Sequence, residues 1–118
     1  MSGDANVWKE TMKIRIKDRA EFRADKMAKI ALATTSRTQL DLYCLEPNQE
    51  QKPHAHADQD KIYLVLEGRA QVVVEGKEEL LEPGEAVVAA AGQEHGLRNA
   101  GTGRLLALVV VTPPPPHA

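Results

Sequence analysis

The stretch NQEQKPHAHADQDKIYLVLEG, residues 48–68, carries two kinds of information at once. Its second half is apolar and puts Lys61, Tyr63 and Val65 on one face of an extended chain. Glu67-Gly68 ends it, and glycine there supplies the positive φ of a tight turn. Its first half sets His54 and His56 two residues apart, so that in extended backbone both imidazoles point to the same side. The segment therefore reads as a strand entered through paired histidines and left through a hairpin.

Working outward, short apolar runs recur at 30–33, 39–45, 62–66, 70–74, 78–81, 86–89, 96–99 and 105–111. Pro47-Asn48, Glu75-Gly76, Pro83-Gly84, Gly92 and Gly101-Thr102-Gly103 separate them, and valines supply β-branched material. Many short strands without long helical patterns mean an all-β sandwich or closed barrel. Before them, Met12, Ile14 and Ile16 alternate with charged residues as a strand would. Asp18 and Glu21 suggest a short helix running through Phe22 and Met27. After them comes Pro113-Pro114-Pro115-Pro116, an extended polyproline tail that donates no ladder hydrogen bonds. The expected division is an N-terminal arm at 1–28, a barrel at 29–112 and a tail at 113–118.

At 118 residues there is room for one core. Aromatics are 3% and the net charge is −2, which argues against stacking on bases or gripping phosphate, hence no nucleic-acid partner. The longest apolar runs fall far short of the roughly 20 residues that span a bilayer, so no membrane partner is expected either. A single cysteine, Cys44, cannot staple one chain. A soluble cytoplasmic protein is the expectation.

His95 lies about forty residues beyond the first pair, just past Gly92 at the head of another strand. A barrel can bring such strands face to face, and three neutral imidazoles meeting from two strands is a metal-site arrangement. His117 stands in the tail, with no role expected.

The frame around these histidines resembles the cupin family. That family's first motif is Gly, five residues, His-x-His, three or four residues, Glu, six residues, Gly; here Asn48, His54-Ala55-His56, Lys61 and Gly68 keep the spacing. The second is Gly, five residues, Pro-x-Gly, two residues, His, three residues, Asn; here Gly84, Ala90-Ala91-Gly92, His95 and Asn99 keep it. The resemblance implies a double-stranded β-helix, or jelly-roll barrel, paired as a homodimer. It implies that His54, His56 and His95 are metal ligands inside the barrel. Trp8 and residues 12–16 are where strand exchange between subunits would be sought.

Three positions depart from the pattern. Asn48 for Gly is mild, since Asn tolerates the left-handed conformation. Ala90 for Pro loosens a turn. Lys61 for Glu replaces the acidic ligand with a cation. Two unit charges about 4 Å apart at an effective dielectric of 20 interact by about 4 kcal/mol, and a divalent ion roughly doubles this. Lys61 must then swing away, become neutral, or exclude the metal. Asp58, Asp60 and Glu94 could hold it off, and Asp60 would itself become a ligand if a bulge turned it inward.

Lys61 also reads as a general base or an anion anchor, and Tyr63, on its face, as a second pocket residue. Cys44, on the face of Leu40 and Leu42, reads as buried packing, Asn99 as a turn organiser and Gln93 as a polar turn residue. Arg98 and Glu94 are candidates for the rim of the entrance. Three functions follow. The first is a divalent-metal protein (Zn, Fe, Ni or Cu) acting on a small anionic or oxygenated molecule as a dioxygenase or isomerase. The second is a non-enzymatic small-ligand barrel. The third is a metal-free acid–base enzyme using histidine and Lys61.

Overall fold

The computed structural model describes residues 12–115. Among the described residues, nine strands follow a short 3-10 helix at Ile16–Arg19: β1 (Ala28–Thr34), β2 (Gln39–Leu45), β3 (Glu50–His54), β4 (Asp60–Glu67), β5 (Ala70–Val74), β6 (Lys77–Leu81), β7 (Ala86–Ala89), β8 (His95–Asn99) and β9 (Leu105–Thr112). They form a five-stranded sheet in the order β1-β2-β9-β4-β7 and a four-stranded sheet in the order β3-β8-β5-β6. Every pairing is antiparallel. The chain crosses between sheets at β2 to β3, β3 to β4, β4 to β5, β6 to β7, β7 to β8 and β8 to β9, which is the expected jelly roll.

The core lies between the sheets, where Tyr43, Leu45, Tyr63, Val65, Val72 and Val109 are almost wholly buried. Alternation in β2 sends Leu42 and Cys44 to the outer face instead, where they pack with Leu106, Ile14, Ile16 and Phe22. Cys44 is thus buried packing, as its neighbours foretold.

The N-terminal arm differs from expectation. Residues 12–16 form no strand, and no helix runs from 18 to 27; among the described residues the helical piece of the arm is the four-residue turn at Ile16–Arg19, without a side-chain cap. The apolar side chains there find their burial on the outer face of β2 and β9, which needs no ladder. Phe22 is covered by the Arg104 guanidinium, 4.3 Å from its ring centroid. Trp8 and His117 lie outside the described residues.

β3 is the strand that the sequence does not announce. Glu50, Lys52 and Pro53 make it polar and break its donor row. It pairs with β8 through a bulge between Gln51 and His54 that takes Pro53 out of the regular register.

Candidate functional site

β3 ends at His54 and β8 begins at His95, and the two are register partners. Their approach depends on Gly96. A Cβ there would stand 2.9 Å from both the Gln51 carbonyl oxygen and the Pro53 nitrogen, so only glycine lets the bulge close over β8. His56, two residues beyond His54, completes the group. Ring centroids are 4.5 Å apart for His54–His95, 4.9 Å for His54–His56 and 6.2 Å for His56–His95.

The tautomers of two rings are set by the backbone. His54 Nδ1 donates to the Lys52 carbonyl and His95 Nδ1 to that of Gln93, each at 2.9 Å, because a carbonyl can only accept. Nε2 of each ring is left with a lone pair. His95 is 2% exposed, and its Nε2 is the one buried side-chain polar atom without a partner among the described residues. Burial pushes the pKa of both rings down, against the pull of the carbonyl acceptors, and the nearby Lys61 lowers them further. Both are neutral imidazoles at neutral pH.

Lys61 faces the same space. It sits opposite Val111 and Ala89 in the five-stranded sheet and is 5% exposed. Its Nζ lies 5.5 Å and 5.7 Å from the ring centroids of Tyr43 and Tyr63. None of the ion pairs among the described residues includes it. The anticipated partners are elsewhere: Asp60 accepts from the Ala91 amide at 2.8 Å, and Asp58 and Glu94 are exposed. Asp60 is therefore a turn acceptor and no bulge carries it inward. The charges that act on Lys61 are Lys29 and Asp41. Burial first, then Lys29, pulls its pKa down to about 8, while Asp41 pulls the other way. Asp41 is itself buried; desolvation raises its pKa, and Gln39 Nε2 holds it at 2.9 Å and 3.1 Å.

Together these residues enclose a pocket of about 300 Å³ lined by Lys29, Asp41, Tyr43, His54, His56 and Lys61, with Val111 and Ala31 as apolar wall. Pro115 closes one side, where the tail is tied by Gln59 Nε2 donating to the Pro113 carbonyl at 3.3 Å. A larger opening of about 830 Å³ lies between the arm, β1 and the β2–β3 turn. It holds none of the histidines.

The structure thus brings His54, His56, His95 and Lys61 to one place. Tyr63 lies behind them: it is fully buried, 6.1 Å from the His95 ring centroid, and donates to Gln51 Oε1 at 3.0 Å. Tyr43 lines the pocket instead. Asn99 organises a turn, donating to the Leu45 and Gly103 carbonyls and accepting from Gly101. Gln93 receives the Ala90 amide, and Arg98 donates to Gln71. Sequence reasoning missed Lys29, Asp41, Tyr43 and Gln51. The signal was Asp41, a carboxylate inside the otherwise apolar end of QLDLYCL.

Three imidazoles suit Zn²⁺, Fe²⁺, Ni²⁺ or Cu²⁺. The fixed Nδ1 tautomers and the orphaned His95 Nε2 fit such an ion. The placement of the rings is less complete: among the described residues, no three His, Cys, Asp or Glu side chains converge so as to hold an ion. The chemistry of the donor set fits; the rings would still have to turn to aim at one point.

The model of the cupin domain family matches residues 41–111. Among solved structures, TT1209 from Thermus thermophilus is 45% identical, covers 88% of this chain and 100% of its own, and superposes with a TM-score of 0.84. An uncharacterized conserved protein with a double-stranded beta-helix domain from Klebsiella pneumoniae is 22% identical over 88% of this chain and 91% of its own, at a TM-score of 0.81. KdgF from a Halomonas species is 22% identical over 89% and 96%, at 0.77. The last two show the fold alone. No curated protein matches.

Proposed function

The chain belongs to the cupin domain family, and from that membership we propose that it binds a divalent metal through His54, His56 and His95 and acts on a small oxygenated molecule in the adjoining pocket. The observation that carries this reading is His95 Nε2, buried without a partner beside His54 in a three-imidazole cluster in which the His54 and His95 ring protons are committed to backbone carbonyls. A buried acceptor left unsatisfied costs about 1–3 kcal/mol, which a ligand on that lone pair relieves.

A bound divalent ion would supply Lewis-acid polarisation of a carbonyl or, with a redox metal, oxygen chemistry. The protein's own residues do the rest. His54 and His95 present Nε2 because their other nitrogens are fixed. Lys61, with a pKa of about 8, is poised to take or give a proton at Nζ. Tyr63 packs beside His95 and positions Gln51. Proton transfer within an isomerisation or dioxygenation at the ion are the two reaction classes this supports.

Elemental analysis after dialysis against one metal at a time tests the reading. The wild type retains close to one ion per chain, and His95→Ala and His54→Ala lose it. A wild type that retains none overturns the proposal. The Lys61 cation and the unconverged rings favour a second reading, a metal-free barrel that binds its ligand or does acid–base chemistry through Lys61. A wild type that retains no ion in that analysis, yet binds a ligand that Lys61→Met releases, would establish it.

A further inference from the structure

The inner wall of the pocket is built from one face of the five-stranded sheet. Lys29 on β1 is the register partner of Tyr43 on β2, two residues from Asp41, and Lys61 on β4 lies across β9 from them. Two lysines thus face one carboxylate. That carboxylate is committed to Gln39, and neither ammonium has an ion-pair partner among the described residues. A chain with net charge −2 therefore carries a cationic pocket. A buried ammonium without a counter-ion is costly, and low-dielectric walls focus its field on whatever enters.

We propose that this wall is a carboxylate-binding site, in which Lys61 and Lys29 hold the carboxylate of a small organic acid whose body lies toward His54 and His56. It names the substrate class of the function proposed above and rests on that reading for its chemistry, though not for its binding. The lowered pKa of Lys61 agrees with a cation that lacks its anion. Size and shape narrow the class. About 300 Å³ is the small end of ligand pockets and excludes a dinucleotide. The lining is mixed: Val111, Ala31 and Pro115 offer apolar surface, and the Tyr43 ring flanks the ammonium, which suits an acid with a carbon body better than an inorganic ion.

The test uses the full chain stripped with chelator, at pH 7 and constant ionic strength. Thermal unfolding and calorimetric titration follow acetate, succinate and benzoate, with succinamide as the uncharged counterpart. At least one acid gives saturable binding that succinamide lacks. Lys61→Met weakens it about tenfold or more. Lys29→Met, at an exposed position, weakens it less, and Lys77→Met on β6, outside the pocket, leaves it unchanged. The proposal is overturned if none of the acids binds, if succinamide or inorganic phosphate binds as well, or if both pocket variants behave like Lys77→Met. Because the protein is metal-free throughout, failure here is distinct from failure of the metal reading, which elemental analysis decides.

Discussion

Lys61 is the residue at which the chain departs most sharply from its family's pattern, and its burial makes the departure measurable. Its pKa of about 8 lies below the 10.5 of an unburied lysine, so between those values the folded chain binds fewer protons than the unfolded one. Stability therefore rises with pH across that window, and the full cost of the buried ammonium is borne below pH 8. One pKa unit is worth about 1.4 kcal/mol, so the cost at neutral pH is about 3 kcal/mol. Lys61→Met removes it and keeps most of the side chain's volume. At pH 7 the variant should melt roughly 5 °C or more above the wild type, with the gap closing toward pH 10.5. Parallel thermal melts at several pH values check this; a constant gap would show that the amine is not desolvated. The position itself was legible from spacing, as were the three histidines, because motif intervals survive in a linear reading. What surrounds Lys61 was not. Asp58, Asp60 and Glu94 are its neighbours in sequence or in the motif frame, whereas Lys29 and Asp41 reach it only across paired strands.

At the scale of elements, the site depends on how closely β3 approaches β8. Gly96→Ala would thrust a methyl into the backbone of Gln51 and Pro53, neither of which is a flexible side-chain tip. The bulge must shift, His54 moves off His95, and stability falls by about 1–3 kcal/mol, as in other overpacked sites. Gly103→Ala is the control. Nothing lies within 4 Å of its added Cβ, and its effect should be within a few tenths of a kcal/mol of zero or slightly stabilising. Urea unfolding of the two variants, with metal retention measured on each, separates positioning from packing. Eight of the nine strands could be read from alternation and turn residues. β3 could not, since Glu50, Lys52 and Pro53 look like loop; what makes them a strand is the exposed ladder edge of β8. The arm erred in the other direction. Ile14 and Ile16 show a strand's period, yet their burial comes from lying against Leu42 and Leu106, and alternation cannot distinguish a ladder from a surface that only needs covering.

For the whole molecule, the site's groups act together on the pH dependence of folding. His54 and His95 have pKa values held below 6.5 by burial, so in acid the unfolded chain takes up protons that the folded chain resists. Stability is present above pH 6.5 and is lost as the pH falls through the histidines' lowered values. Lys61 adds a second rise between about 8 and 10.5. The pocket should therefore contribute two upward steps to the stability profile instead of one maximum near neutrality. His95→Phe should shrink the acid step, to which His54 still contributes, while Lys61→Met should remove the alkaline step and also shrink the acid one, because the Lys61 charge helps to hold both imidazoles' pKa values down. Ligands act on the same steps. An ion held by neutral imidazoles binds the folded form, so added metal stabilises above pH 6.5 and releases protons below it. A carboxylate on Lys61 favours the ammonium, lifts its pKa back toward 10.5, and erases the alkaline step while raising stability at pH 7. Denaturant midpoints collected from pH 5 to 10.5, with and without zinc and with and without a bound acid, resolve the two steps. An acid that raises the midpoint equally at every pH would act on the protein surface and not on Lys61.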